Sequence, residues 1–227
     1  MTLTPALSAY LDFMRFTAAF AVLLGHMDQD GLSIAWMPLA RFSHEAVIIF
    51  FVLSGFIIYY STTSRACTWR QYAVARLSRI YSVALPAVLC CVALATWLSA
   101  QPEFDPSKFS NYTPPSIWDT VSSLLFINES WLNGTVVTMN DSYWSLCYEV
   151  WYYVLFGAFV FARGRLRWLC IASAAAIAGP AILVLLPVWF MGAWLAATRL
   201  YELNVSPRLA WSAFLLPLFL IVAINFS

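Results

Sequence analysis

Six apolar stretches, each close to the length of a bilayer-spanning helix, constrain this chain more than any other feature. A helix needs about 20 mainly apolar residues to cross roughly 30 Å of hydrocarbon. The stretches are Leu7–Gly25, Ala46–Tyr60, Ile80–Leu98, Tyr143–Phe161, Trp168–Leu186 and Leu209–Phe226. A shorter seventh, Val188–Leu200, follows Pro187 and would form a half-span or one limb of a kinked hairpin. The pattern predicts an all-α, polytopic transmembrane helix bundle of six or seven spans.

The composition favours a membrane protein and excludes several other classes. Of the 227 residues, 62% are apolar and only 10% are charged, whereas soluble domains carry about 25% charged residues. A net charge of +1 argues against a nucleic-acid-binding protein. The five cysteines form no C-x-x-C pair, and no convincing cluster of metal ligands occurs, so we expect no metal. The lipid bilayer is the main expected partner, and no oligomeric state is indicated.

Two connecting segments predict the orientation in the membrane. Ser61–Arg79 contains four arginines and no acid, and Ala162–Arg167 contains three arginines and no acid. Because cytoplasmic loops collect basic residues, both segments are expected inside. Ser99–Ser142 contains five acids and one lysine and is expected outside. The amino terminus is then cytoplasmic, in a multi-pass protein of the inner (plasma) membrane.

The first span contains charged residues that lipid disfavours. Asp12 and Arg15 would lie in or near the hydrocarbon, where a central charge costs about 2.5–3.5 kcal/mol on insertion scales. His26 follows Arg15 by eleven residues, which returns it to nearly the same helix face, about 16 Å further along the axis. Ionisable groups in spans are functional candidates by default. Taken alone, His26 also fits a simple interfacial histidine.

The fourth span contains a second buried charge, Glu149, within a stripe of polar residues. The stripe consists of Ser142, Ser145, Glu149 and Tyr152 or Tyr153, at spacings of three and four. By helical rise, Glu149 lies about 9 Å below the outer surface, which is near the depth expected for His26. We therefore predict one shared site, with packing of Glu149 against Arg15 as the alternative. In the second span, Ser54 and Gly55 favour close helix packing over a nucleophilic serine.

Four motifs occur in order along the chain. Arg15 is followed after ten residues by His26, and Phe50 to Phe56 reads Phe-Phe-Val-Leu-Ser-Gly-Phe. Arg76-Leu-Ser-Arg79 enters the third span, and Trp144-Ser-Leu146 precedes Glu149. Together the motifs resemble those of the acyltransferase 3 family. Its members generally transfer acyl groups, often acetyl, from cytoplasmic acyl-CoA to a hydroxyl of a cell-envelope or exported carbohydrate.

The resemblance implies one integral membrane acyltransferase-like domain over residues 1–227, equivalent to the amino-terminal two thirds of the family domain. Acyl-CoA, often acetyl-CoA, would be the donor substrate and a carbohydrate the acceptor, with no permanently bound cofactor. We assign His26 as general base, because histidine exchanges protons near neutral pH. Glu149 is the first candidate for its acid partner, followed by Glu45 and Asp28.

Arginines are the candidates for holding the donor. Arg15 would contact the pantetheine, a phosphate or the thioester oxygen, and the cytoplasmic arginines would bind phosphates. These are Arg70, Arg76 and Arg79, although membrane topology alone also explains basic residues there. The expected substrate contacts are Asp12, Ser54, Ser145 and Tyr152.

Two other functions fit the same residues. Buried charges in spans also suit a transporter or flippase that moves an acyl donor or a lipid-linked sugar without forming a bond. A shortened, catalytically inactive protein of the same fold is the third possibility.

Overall fold

The computed structural model describes residues 4–29, 42–64, 67–109, 112–132, 137–199, 202 and 206. Within these ranges the chain forms α-helices joined by short irregular segments, and no β-strand occurs there. The helices are α1 (Pro5–Gln29), α2 (Ser43–Ser64), α3 (Trp69–Ser99), α4 (Ile117–Leu124), α5 (Tyr143–Phe161), α6 (Gly164–Ala178), α7 (Pro180–Val184) and α8 (Leu186–Thr198). The predicted all-α fold is confirmed for this part of the chain.

Four of the described helices are long and apolar enough to cross a membrane. They are Pro5–Met27 of α1 together with α2, α3 and α5, and they coincide with the first four predicted spans. The chain is therefore a polytopic membrane protein. The predicted span Leu209–Phe226 lies outside the described residues. The predicted segment Val188–Leu200 corresponds to α8, which has only 13 residues.

The fifth predicted span, Trp168–Leu186, is not one continuous helix. It is interrupted between α6 and α7 at Gly179, whose φ of 82° lies in a region that side-chain-bearing residues rarely adopt. A Cβ at this position would lie 2.8 Å from the backbone nitrogen of Trp131. Pro180, which has no backbone N–H, then begins α7. The close contact between Gly179 and Trp131 therefore accompanies a break in the helix, where apolarity alone predicted an uninterrupted one.

The basic segment Ser61–Arg79 is mostly helical, contrary to the predicted loop. Helix α3 begins at Trp69 because Thr68 caps it. The backbone N–H of Gln71 donates to the Thr68 side-chain oxygen, and the backbone N–H of Thr68 donates to the Gln71 side-chain oxygen. With 31 residues, α3 is about 46 Å long and exceeds the hydrocarbon thickness. Its first turns can therefore carry arginines beyond the lipid core.

The acidic segment between α3 and α5 folds onto the end of α5. It contains the short helix α4. The backbone oxygen of Phe126 accepts hydrogen bonds from Cys147 Sγ at 2.9 Å and from Trp151 Nε1 at 2.8 Å. The first two turns of α5 are therefore covered by the chain that precedes them.

Helices α2 and α8 cross with their backbones almost in contact. A Cβ at Gly55 would lie 2.0 Å from the Trp189 carbonyl oxygen, and one at Gly192 would lie 1.8 Å from the Val52 carbonyl oxygen. Real Cβ atoms do not approach so closely, so each position requires glycine. Small residues allow this close approach between helices in membranes.

Gly192→Ala is expected to destabilise the protein by about 1–3 kcal/mol, since the added methyl group forces α8 away from α2. Gly157→Ala is the matched control, because its Cβ would meet only the ring of Tyr72, at 3.1 Å, and a side chain can shift. Thermal unfolding in detergent micelles measures both variants. Equal melting temperatures for the two would contradict the tight crossing.

Cysteine labelling tests the predicted orientation. In a background without the five native cysteines, a cysteine at Lys108 is expected to react with a membrane-impermeant maleimide added to intact cells. One at Arg70 is expected to react only after the cells are opened. Both positions are exposed in the structure, so accessibility differs only by the side of the membrane. The reverse labelling pattern would show that the protein has the opposite orientation in the membrane.

Candidate active site

Four side chains from three helices meet inside the bundle in a polar cluster: Ser54 of α2, Glu149 and Tyr153 of α5, and Trp189 of α8. Ser54 Oγ donates to Glu149 Oε1 at 2.7 Å, and the Tyr153 hydroxyl donates to the same oxygen. Trp189 Nε1 donates to Ser54 Oγ at 3.3 Å. Ser54, Tyr153 and Trp189 are buried, and Glu149 is half-buried. The cluster joins α2, α5 and α8 through the carboxylate.

Positive charges on α1 and α3 act on the polar cluster at a distance. Arg15, half-buried on α1, is within electrostatic range of Glu149, Tyr153, Arg79 and Asp12. A carboxylate in a poorly hydrated interior requires hydrogen bonds or opposite charge: Glu149 accepts two hydrogen bonds, and the charge of Arg15 acts on it at longer range. The structure thus brings together Arg15, Ser54 and Glu149 from three separate sequence motifs.

Glu149 lies closer to the depth of Arg15 than to that of His26. Leu11 shares a buried cluster with Leu53 and Phe56, which flank Ser54. This part of α1 is therefore level with Glu149, and His26, in the last turn of α1, is about 16 Å beyond Arg15 along the helix axis. The common depth predicted for Glu149 and His26 is wrong.

The covered end of α5 explains this difference. Glu149 is six residues into α5, but its partner Ser54 is eleven residues beyond the start of α2. By helical rise, α5 therefore begins about 7 Å deeper than α2. The segment around Phe126 occupies the space above it. The sequence-based depth assumed that both helices start at the outer surface.

Glu45 lies at the same end of the bundle as His26. It is in the first turn of α2 and is half-buried. The next residue, Ala46, shares a buried cluster with Ala18 and Ala21 of α1. Since the two helices are antiparallel, Glu45 is nearer to the carboxyl-terminal end of α1 than Glu149 is. The Asp28 side chain lies outside the described residues.

A groove of about 680 Å³ runs from the start of α3 to the polar cluster. Its lining is mostly apolar and includes Trp69, Tyr72, Arg76 and Tyr153. The Arg76 guanidinium carbon is 5.8 Å from the Tyr72 ring centroid and 5.9 Å from that of Tyr153. Arg76 Nε is buried and has no hydrogen-bond partner among the described residues. At the groove's entrance, Arg70 lies over the Trp69 ring at 5.6 Å.

Two predicted substrate contacts lie elsewhere. The Tyr152 side chain is fully buried and its hydroxyl donates to the Ile182 carbonyl oxygen at 2.8 Å, so it serves packing between α5 and α7. Ser145 Oγ donates to the Ser142 carbonyl oxygen at 2.9 Å, within its own helix. Of the two tyrosines considered for the polar stripe, Tyr153 is the one whose hydroxyl joins the polar cluster. Tyr153, four residues after Glu149, was visible in the sequence, whereas no sequence signal distinguished Trp189.

The fold and this site define a class: a polytopic membrane protein whose spans enclose a charged polar cluster, reached by an apolar groove. The family model described as an acyltransferase domain matches residues 8–227. The chain therefore belongs to the acyltransferase 3 family, and the resemblance found in its motifs is confirmed. Neither the curated proteins nor the solved structures contain a significant match to it. Among the described residues, no group of three or more His, Cys, Asp or Glu could hold a metal ion.

Proposed function

We propose that this membrane acyltransferase transfers an acyl group from a cytoplasmic acyl-CoA to a hydroxyl of a cell-envelope or exported carbohydrate. Family membership supports acyl transfer in general. The observation that carries the finer proposal is the groove that leads from the first turn of α3, past Arg76, to Tyr153 of the polar cluster, whose hydroxyl donates to Glu149. A charged, elongated donor that enters from the cytoplasm matches this combination.

The donor's phosphates would bind at the start of α3. Arg70 is exposed there, and guanidinium groups form paired hydrogen bonds with phosphate oxygens. Arg79, exposed nine residues further along α3 and within electrostatic range of Arg15, would bind a deeper part of the donor. Arg76, deeper in the groove, has a buried donor nitrogen available for the pantetheine arm or a phosphate. The apolar walls suit the arm and the acyl chain. The volume, about 680 Å³, is within the usual range for small-molecule sites, about 300–1,000 Å³.

In the proposed reaction, the acceptor hydroxyl attacks the thioester carbonyl carbon. A C–O bond forms, the C–S bond breaks, and His26 passes the hydroxyl proton to the departing thiolate. Arg15 stabilises negative charge along the donor path. The pantetheine arm must then extend along α1 from Arg15 toward His26, roughly 16 Å. Direct transfer is the simplest form of this reaction.

Glu45 replaces Glu149 as our first candidate for the partner that orients His26. It lies at the outer end of the bundle, half-buried in the first turn of α2. Glu149, in contrast, is hydrogen-bonded to Ser54 and Tyr153 at the depth of Arg15. We therefore assign Glu149 to holding Arg15 in place. A carboxylate beside the base would fix its tautomer and stabilise the imidazolium that forms.

Two measurements test the function. Purified protein in nanodiscs is supplied with acetyl-CoA and longer acyl-CoAs, and free CoA thiol is recorded. Mass spectrometry then compares envelope polysaccharide from cells with and without the protein. Acyl-CoA-dependent thiol release and acylated sugar units support the proposal. Movement of acyl-CoA across proteoliposomes without thiol release would support a transporter, and the absence of all three signals would support an inactive protein.

A further inference from the structure

A second cavity, of about 250 Å³, lies at the outer end of α5, separate from the groove. The polar and aromatic residues that line it are Asn128, Glu129, Asn140, Asp141, Tyr143 and Trp144. They combine two carboxylates, two amides and two aromatic rings. None of the described residues that line the cavity is Lys or Arg. None of these residues has a role in the reaction proposed above.

The lining has the chemistry that recognises a hydroxyl-rich ring. Carboxylates accept hydrogen bonds from hydroxyl groups, and amides both donate and accept them. Aromatic rings offer flat apolar surface to the C–H face of a sugar. Because the described lining carries acids and no base, it disfavours phosphate, sulfate and uronate groups. The cavity therefore matches a neutral carbohydrate better than an anionic one.

Contacts made by the lining residues hold the cavity in shape. The Asn128 amide nitrogen donates to Glu129 Oε1 at 3.3 Å, and Asn128 is only 1% exposed. The Tyr143 hydroxyl donates to the Ser123 carbonyl oxygen at 3.0 Å. The Trp144 ring lies edge-on to Tyr148, with centroids 5.1 Å apart. Such fixed partners reduce the entropy lost when a ligand binds.

The position and size of the cavity fit one unit of the acceptor. The charge distribution of the loops places this end of α5 outside, the side at which α1 presents His26. A volume near 250 Å³ is slightly below the usual range for sites that enclose a drug-sized ligand, about 300–1,000 Å³. This leaves room for one ring with its neighbours outside.

We propose that this cavity is an acceptor subsite that binds a single neutral sugar ring of the carbohydrate. The inference rests on the proposed function, because it identifies the acceptor side of that reaction. It assigns Glu129 and Asp141 to sugar hydroxyls and Trp144 to the ring face. Specificity for neutral sugars follows from the acidic lining.

Binding of simple glycosides tests the subsite without requiring turnover. The protein is placed in nanodiscs, free of sugar detergents, and saturation-transfer NMR is recorded with methyl β-D-glucopyranoside, methyl β-D-galactopyranoside and methyl N-acetyl-β-D-glucosaminide. Methyl β-D-glucuronide is the anionic comparison. At least one neutral glycoside is expected to show transfer, and the glucuronide none. Absence of transfer from all three neutral glycosides, or stronger transfer to the glucuronide, would overturn the proposal.

Glu129→Ala is expected to weaken binding of the neutral glycoside about tenfold, since one carboxylate hydrogen bond is lost. Burial raises the pKa of Glu129, so removing its carboxyl also removes a desolvation cost and the variant is expected to fold. Glu103→Ala, an exposed acid of the same outer segment outside the cavity, is the matched control. Unchanged affinity in Glu129→Ala, or equal losses in both variants, would refute the subsite.

Failure of this inference is distinguishable from failure of the proposed function. Acyl-CoA-dependent thiol release without glycoside binding would refute the subsite and leave the acyl transfer intact. Glycoside binding that depends on Glu129, without any acyl transfer, would refute the function and support the subsite as a carbohydrate site.

Discussion

His26→Ala is expected to lower the rate of acyl transfer by about 10²–10⁴-fold, because the hydroxyl nucleophile loses its general base. The variant removes a half-buried side chain from the last turn of α1 and should leave the bundle folded. The measurement is acyl-CoA-dependent thiol release by purified protein, together with its melting temperature.

His44→Ala is the matched control for this change. The chain has two histidines, and His44 is exposed in the first turn of α2. Turnover by His44→Ala is expected to stay within about twofold of the unsubstituted protein. Near-normal turnover by His26→Ala would remove the histidine from the mechanism. A large loss in both variants at lowered melting temperature would indicate structural damage at this end of the bundle.

Arg15→Ala is expected to reduce kcat/KM for acyl-CoA by about 10²–10³-fold, since one preorganised cation is removed from the donor path. Arg15→Lys keeps the charge but lacks the planar pair of donors, so it is expected to recover activity only in part. Steady-state kinetics with varied acyl-CoA separate the loss in kcat from the rise in KM.

Two further variants separate binding from folding at Arg15. Arg165→Ala removes an exposed cation from the basic segment before α6 and is expected to leave kcat/KM nearly unchanged. The double change Arg15→Ala with Glu149→Gln removes both charges, so it is expected to melt above Arg15→Ala alone. Equal kinetic losses in Arg15→Ala and Arg165→Ala would show that Arg15 acts only through net charge.

The spanning helices could be predicted because apolarity and length are local properties. Helices α1, α2, α3 and α5 coincide with the first four apolar stretches. The start of α3 was missed because the basic segment was interpreted as a loop, whereas the helix that begins after Thr68 contains three of its four arginines, Arg70, Arg76 and Arg79. The break at Gly179 depends on the close approach of Trp131 from a distant segment. No pattern in the neighbouring sequence predicts that contact.

The site was predictable as a set of residues and less so as an arrangement. Arg15 and Glu149 were singled out because charged groups in lipid require partners, whereas Ser54 was interpreted mainly as a position for close helix packing. In the structure Ser54 donates a hydrogen bond to Glu149, and Arg15 is within electrostatic range of that carboxylate. The depth of Glu149 was misjudged because it depends on how far the outer segment folds along α5. The contribution of Trp189 arises only from the crossing of α2 and α8. The acyl-transfer roles of these residues remain predictions.

Gly55 lies against the backbone of Trp189, and Gly192 against that of Val52, so the position of α8 against α2 controls the polar cluster. Trp189 is three residues before Gly192 on the same helix, so the two backbones set where its indole meets Ser54. A compound wedged into this seam from the surrounding lipid would withdraw the indole without occupying any substrate position. Inhibition of that kind would not be relieved by raising the concentration of either substrate.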